Sequence, residues 1–281
     1  MRRPFQQLDV FTDVPYRGNP LAVVLDGAGI GEDELLRFAN WTNLSETTFL
    51  LQPTDPAADY RVRIFTTTTE LPFAGHPTIG SCVAWLRAGG VPRTPGVVVQ
   101  ECGVGLVTLV LDEASGRVEF AAPPLTEAEL SDHVVDAMCV GLGLPRDAVV
   151  RGAVLSNGPT FAALELTSAE HVLAAVPDYA ALATAGVDVG LIGPHSPGGP
   201  ADVEVRLLMT SLGAGEDPVT GSLNAALAQW LMGAGALPES YTASQGTAIG
   251  RAGRLSLRRD DQGQVWVGGH AVCCVEGTVD L

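Results

Sequence analysis

A chain of 281 residues, 46% hydrophobic and 17% charged, can bury a large core, which describes a globular and not a disordered protein, of two domains or one bilobal one. The formal net charge of −16 argues against nucleic acid and anionic membrane surfaces as partners, since both would repel the chain. All 16 basic side chains are arginine, so Schiff-base chemistry on a lysine amine and a phosphate-loop lysine are both excluded. The five cysteines, Cys82, Cys102, Cys139, Cys273 and Cys274, show no metal-ligand spacing and read as reduced core thiols. No apolar leader or membrane-length stretch is present, and a cytoplasmic protein is expected.

In chain order, Gln6 to Phe11 alternates as a strand, the turn Val14 to Pro20 follows, and Leu21 to Leu25 is a second strand. Asn19 reads as a turn residue more readily than as a site residue. Glu32 to Asn43 has helical periodicity with acidic residues in its first turn; Leu35, Phe38 and Ala39 face inward, with Trp41 a further candidate for that face. The polar cluster Asn43-Leu44-Ser45-Glu46-Thr47 stands where this helix gives way to a strand. A carboxyl there, lining an apolar cleft, would have its charged form disfavoured and would suit acid/base work. The competing reading is a solvent-facing Glu46 on an edge strand.

The stretch Arg63 to Leu86 is a strand, a break at Pro72 and a helix from Gly75 on which Ile79, Val83 and Leu86 share a face. A helix beginning at Gly75-His76 presents unpaired N–H groups and the positive end of its dipole, an arrangement that attracts a carboxylate. A second stretch repeats the first. Arg206 to Thr210 leads through Gly213 and Gly215 to Asp217 and Gly221-Ser222, then to a helix carrying Leu223, Leu227, Trp230 and Leu231. Gly221 falls on Gly75 and Ser222 on His76, so two related halves each present a helix N-terminus.

Between the repeats lie strands at 97–100, 105–111 and 118–120, and Ala121 to Pro124 reads as the lobe boundary. Residues 1–122, completed by 271–281, form the expected first lobe, and 123–270 the second. The second carries a helix within 127–144 and strands at 149–155 and 161–166. The turn Ser156 to Thr160 between those strands is either a pocket wall or a plain hairpin turn. His195, in a Pro/Gly loop, is expected to be exposed, and His133 and His171 to lie on the surface. Gln245-Gly246 marks a close backbone approach, to a ligand among other possibilities. A final strand at 265–272 bends at Gly268-Gly269, with His270 beside it.

Arg17-Gly18-Asn19-Pro20, Asn43 to Thr47, Arg63 to Thr66 with Gly75-His76-Pro77, Glu216 to Ser222, Gln245-Gly246 and Val267 to Gly269 together resemble the phenazine-biosynthesis isomerase family. That family is similar in fold to diaminopimelate epimerase. The resemblance implies an α+β protein of two pseudo-symmetric lobes, each a β-barrel around a central helix, with the active site between them and a homodimer as the usual assembly. It further implies that Glu46 moves a proton between carbons of a conjugated carboxylate substrate, that His76 and Asp217 assist, and that Ser45, Gly75, Gly221 and Ser222 bind the substrate's polar groups. No cofactor or metal is expected. Asp217 is expected to orient the imidazole of His76. The cysteine pair of the epimerase relatives is replaced by Ala74 and Thr220, so a thiol mechanism is absent. Thr67, Leu208, Thr210 and Ala252-Gly253 depart from the family pattern and bear on the substrate, which the resemblance leaves as a dihydro-hydroxyanthranilate-like or unsaturated pyrroline-type amino acid. A carboxylate-based epimerase or hydro-lyase, and a non-catalytic binding protein, are the alternatives; keeping Glu46, His76 and Asp217 together weighs against the last.

Overall fold

A computed structural model describes residues 1–112, 114–210 and 215–281, so Gly213 of the second repeat lies outside the described residues. The chain forms two compact units, Met1–Ala121 with Gly268–Leu281, and Ala122–Val267. No helix among the described residues is long and apolar enough to cross a membrane.

In the first unit, β1 (Arg2–Val10) pairs antiparallel with β2 (Asn19–Val24) on one side and with the C-terminal strand Ala271–Asp280 on the other. Helix α1 (Glu32–Thr42) carries the chain to β3 (Glu46–Leu51), which therefore runs parallel to β2. Then β4 (Tyr60–Phe65) returns antiparallel and makes a short hairpin with β5 (Glu70–Leu71). Helix α2 (Gly75–Arg87) follows, and β6 (Val97–Cys102), β7 (Gly105–Asp112) and β8 (Arg117–Ala121) complete the set. The strands wrap α2, which packs against β1, β2, β3, β6 and β8. Small residues on α2 make this possible: a Cβ at Gly80 would meet the Leu21 side chain at 2.5 Å. On α1, Leu35 and Ala39 are buried, but Trp41 is 78% exposed and only stacks on Phe38. Six positions beyond Leu35, it projects about 240° around the helix from that residue.

The second unit begins with β9 (Thr126–Glu129), α3 (Asp132–Leu142), β10 (Val149–Ser156) and β11 (Thr160–Leu166). Two short helices, α4 (Ala169–Ala174) and α5 (Tyr179–Leu182), lead to β12 (Asp188–Pro194), parallel to β11. After it come β13 (Val203–Met209), β14 (Gly215–Asp217), α6 (Gly221–Gly233), β15 (Ser240–Gln245), β16 (Gly253–Arg259) and β17 (Val265–Gly269). Helix α6 is buried along nearly its whole length. The cysteines are all free, but only Cys82 and Cys139 are buried; Cys102, Cys273 and Cys274 sit at partly exposed strand positions.

The repeat extends to the pairing register. Arg63 and Arg206 occupy the same place, and each is followed by a residue paired with the last position of a short hairpin strand, Ile64 with Leu71 and Leu207 with Asp217. The strand after each central helix runs parallel to β4 or β13, with Arg61 opposite Glu101 and Glu204 opposite Ser244. Each arginine forks onto a hairpin glutamate. Arg63 donates to Glu70 at 2.7 and 2.6 Å, and Arg206 reaches Glu216 at 2.8 Å while its other arm donates to the Val172 and Ala175 carbonyls.

These two forks differ in solvent exposure. Arg206 and Glu216 are 5% and 3% exposed, whereas Arg63 and Glu70 are 22% and 37% exposed. Arg206→Leu strands a buried carboxylate and two carbonyls and is expected to cost about 3–5 kcal/mol. Arg63→Leu removes a solvent-screened pair and is expected to cost about 1 kcal/mol or less. Urea unfolding of the two variants checks the ordering, and equal losses would contradict it.

Candidate active site

Glu46 and His76 are brought together inside the first unit. Helix α1 ends at Asn43, whose left-handed backbone (φ 54°) turns the chain so that β3 starts at Glu46, beside Leu21 of β2. His76 is the second residue of α2 and is 6% exposed; its Nδ1 lies 3.2 Å from Oε2 of Glu46, whose side chain is 16% exposed. A hydroxyl bond from Ser81 to Thr48, 2.9 Å, ties α2 to β3 two residues beyond Glu46. Burial pushes the imidazole down from its ordinary value to about 3, against the pull of the Pro20 carbonyl, which accepts a hydrogen bond from the ring. Desolvation dominates at a ring so nearly closed to water. Nε2 has no hydrogen-bond partner among the described residues, which assigns the neutral ring's proton to Nδ1.

Gly75 opens α2 and is buried. Its N-cap, Ala74, is extended and no side chain caps the helix. Pro77, third in the helix, lacks an N–H, so the mouth is left with the amides of Gly75 and His76 ahead of Thr78, whose N–H bonds to Ala74. Ser45 is exposed at the bend before β3. The carboxylate beside the imidazole within this unit is that of Glu46; Asp217 belongs to the other unit.

In the second unit, Asp217 ends β14 and is nearly buried, and its Oδ2 accepts from the Thr220 hydroxyl at 2.5 Å. Gly221 and Ser222 open α6, whose N-cap residue Thr220, like Ala74 before α2, does not cap the helix with its own side chain. The turn at Ser156 to Thr160 closes the β10–β11 hairpin and also touches the helix mouth, Asn157 Nδ2 donating to the Ser222 carbonyl at 2.8 Å. The repeat register places Asp188 where the first unit has Glu46. Asp188 Oδ1 accepts the Thr210 N–H at 2.8 Å, so this carboxylate serves a hairpin.

The close approach marked by Gly246 is to the chain itself. Its backbone has φ 89°, and a Cβ there would lie 2.6 Å from the Pro218 carbonyl oxygen. Gln245 is wholly buried and reaches the N-terminus of α6, which the sequence reading did not find. His195 is not exposed as expected, its side chain being 11% accessible. The His195 and Asp202 amides close the loop on Asp202 and Thr242, while Nε2 lies 3.1 Å from both Glu204 Oε2 and Ser244 Oγ. Serine and carboxylate share one ring nitrogen here, whereas a catalytic relay needs one at each. His133 is exposed and His171 partly so. Among the described residues, no group of three or more His, Cys, Asp or Glu side chains could hold a metal ion.

The model of the phenazine biosynthesis-like proteins (PhzC-PhzF) matches residues 8–277. The chain is 34% identical to Antisense-enhancing sequence 1 of Schizosaccharomyces pombe, covering 97% of each chain. It is 30% identical to the trans-2,3-dihydro-3-hydroxyanthranilate isomerase of Pseudomonas aeruginosa, covering 98% of each. Among solved structures, a PhzF-family phenazine biosynthesis protein of Bacillus anthracis superposes with a TM-score of 0.86 at 21% identity, covering 100% of both chains. The fold is thus the mixed α+β fold of the PhzF proteins.

The buried imidazole has a consequence for stability. With a native value of about 3 against an unfolded value of about 6.5, the folded protein binds fewer protons than the unfolded chain between those limits. The contribution is complete above about pH 6.5 and is lost as the pH falls toward 3. Urea unfolding at pH 7 and pH 4 should show a smaller difference for His76→Asn than for the parent protein. An identical difference would mean that the imidazole is not held neutral.

Proposed function

The chain belongs to the phenazine biosynthesis-like family and is a PhzF-family isomerase; we propose that its reaction is a proton shift between two carbons of a small, conjugated substrate bearing a carboxylate. The observation that carries this reading is the pair of buried His76 and half-buried Glu46, 3.2 Å apart at the uncapped start of α2. A carboxylate removes a proton from a saturated carbon next to the conjugated system, the electron pair moves into that system, and the same carboxyl returns the proton at the far carbon. One C–H bond breaks and another forms, the double bonds move, and nothing is oxidised or released.

Each part of the pair has a task in this scheme. Glu46 is the proton carrier. His76 donates Nδ1–H to the Pro20 carbonyl with the Glu46 carboxyl 3.2 Å from that nitrogen, leaving the Nε2 lone pair to accept from a substrate hydroxyl or ammonium group. The amides of Gly75 and His76 receive the carboxylate, as peptide dipoles at a helix start do, with Ser45 at the bend beside them. In the second unit, the same reading makes Asp217 a further acid/base group and the Gly221–Ser222 mouth a second polar docking point.

The named activity of the 30% identical relative supports a cyclic amino acid of the dihydro-hydroxyanthranilate type as substrate; an unsaturated pyrroline-type acid satisfies the same chemistry. The test is proton NMR of trans-2,3-dihydro-3-hydroxyanthranilate incubated with the enzyme in heavy water. Deuterium at carbon together with a shifted double bond is expected, slowed by about 100- to 10,000-fold in Glu46→Gln. Deuterium at a stereocentre without a bond shift would indicate an epimerase, and loss of water a hydro-lyase. Undiminished turnover by Glu46→Gln would remove Glu46 from the mechanism.

A further inference from the structure

Gln245, the last residue of β15, is wholly buried and makes four hydrogen bonds with one small region. Its Oε1 accepts from the Thr220 amide at 2.9 Å and from Asn224 Nδ2 at 2.8 Å. Its Nε2 donates to the Asp217 carbonyl at 3.1 Å and to Thr220 Oγ1 at 2.9 Å. Thr220 Oγ1 in turn donates to Asp217 Oδ2, and Asn224 Nδ2 also donates to the Thr220 carbonyl. All the hydrogen-bonding capacity of one amide side chain is thus spent on the junction between β14 and α6, and none remains for a ligand.

The chain contains its own control for whether the fold requires this. The repeat register sets Leu71 against Asp217, Ala74 against Thr220, Thr78 against Asn224 and Cys102 against Gln245. In both units the strand after the central helix passes close to the proline of the turn: a Cβ at Gly103 would lie 2.6 Å from the Pro72 Cα, and one at Gly246, which has a positive φ, 2.6 Å from the Pro218 carbonyl oxygen. The first unit makes this strand-to-helix turn differently: among the described residues no side-chain amide bonds to Leu71 or Ala74, and buried Gln100 of β6 reaches only Thr78 in the helix, at 3.1 Å, and the Tyr60 hydroxyl. The clamp is found where the hairpin strand ends in a carboxylate.

We propose that Gln245 is a positioning residue that holds Asp217 and the amides opening α6 in place for the reaction. The inference rests on the reading of Asp217 and the Gly221–Ser222 mouth given above. It divides the side chain into two functions. The Oε1 half fixes the helix start through Thr220 and Asn224, and the Nε2 half fixes Asp217, directly at its carbonyl and through the Thr220 hydroxyl at its carboxylate.

Gln245→Met and Gln245→Glu in the full-length protein separate the two halves. Methionine fills a similar volume without hydrogen bonds, and glutamate keeps the acceptor, favourably placed at a helix N-terminus, but has no donors for Asp217. Amide hydrogen exchange at Thr220 should be about tenfold faster or more in Gln245→Met and close to the parent rate in Gln245→Glu, with β16 amides unchanged in both. With trans-2,3-dihydro-3-hydroxyanthranilate as the probe, both variants should lose kcat while KM changes little, because the bond from Nε2 to the Asp217 carbonyl is lost in each. An unchanged Thr220 rate in Gln245→Met would overturn the proposal. So would Gln245→Glu with full kcat, or a Gln245→Glu that folds but exchanges at Thr220 as fast as Gln245→Met. Should the parent protein not turn over the probe, the substrate assignment fails, and the exchange measurements still decide whether Gln245 holds the helix mouth.

Discussion

A buried helix N-terminus is the constraint from which the arrangement of this protein follows. The first N–H groups of any helix have no intrahelical acceptor and must be met by side chains, water or a ligand. Both central helices, α2 and α6, start in buried surroundings, and neither N-cap residue, Ala74 or Thr220, caps its helix with its own side chain. Their flanks are occupied by strands, which close on small residues such as Gly80, so the polar demand is concentrated at the mouths. The candidate site residues stand there, Glu46 and His76 at one mouth and Asp217 and Ser222 at the other.

Charge explains why the mouths are built from peptide amides and not from arginine. The two arginines that lead toward the helices, Arg63 and Arg206, are each held by a hairpin glutamate. A guanidinium beside Glu46 would favour its carboxylate form and lower its proton affinity, weakening it as a base. Amide dipoles attract a substrate carboxylate with only a partial charge. A chain with a net charge of −16 can thus bind an acid while keeping Glu46 in largely dehydrated surroundings.

Much of this was legible in the sequence because the repeat was. Arg63 to Gly75 and Arg206 to Gly221 share a strand, a break and an apolar helix, and local periodicity suffices to see them. What escaped depended on contacts between distant positions. Gln245 meets Thr220 and Asn224 across 25 and 21 residues, and Ser244 meets Glu204 across 40, so neither cluster leaves a local pattern. His195 reads as exposed because its neighbours are Pro and Gly, yet the loop closes on Asp202 and Thr242 and carries the ring onto Glu204. Trp41 was a simpler matter: hydrophobicity drew it toward the core face, while helical geometry turns it away from Leu35.

The two units share a backbone plan but not a polar one, and the difference bears on the chemistry. Glu46 is answered in the second unit by Asp188, which is engaged by a backbone amide, and His76 by Ser222. Asp217, Thr220 and Gln245 are answered in the first by Leu71, Ala74 and Cys102. An epimerase must handle two mirror-related protons at one carbon, a task suited to matched groups on matched elements. A shift between two different carbons makes no such demand, since one carboxyl that can both remove and return a proton is enough. Nothing in the backbone register prevents matched acid/base residues at the equivalent positions. Their replacement by apolar or committed side chains fits the proposed shift, in which Glu46 carries the proton and Asp217 has no counterpart in the first unit, better than an inversion by two matched bases.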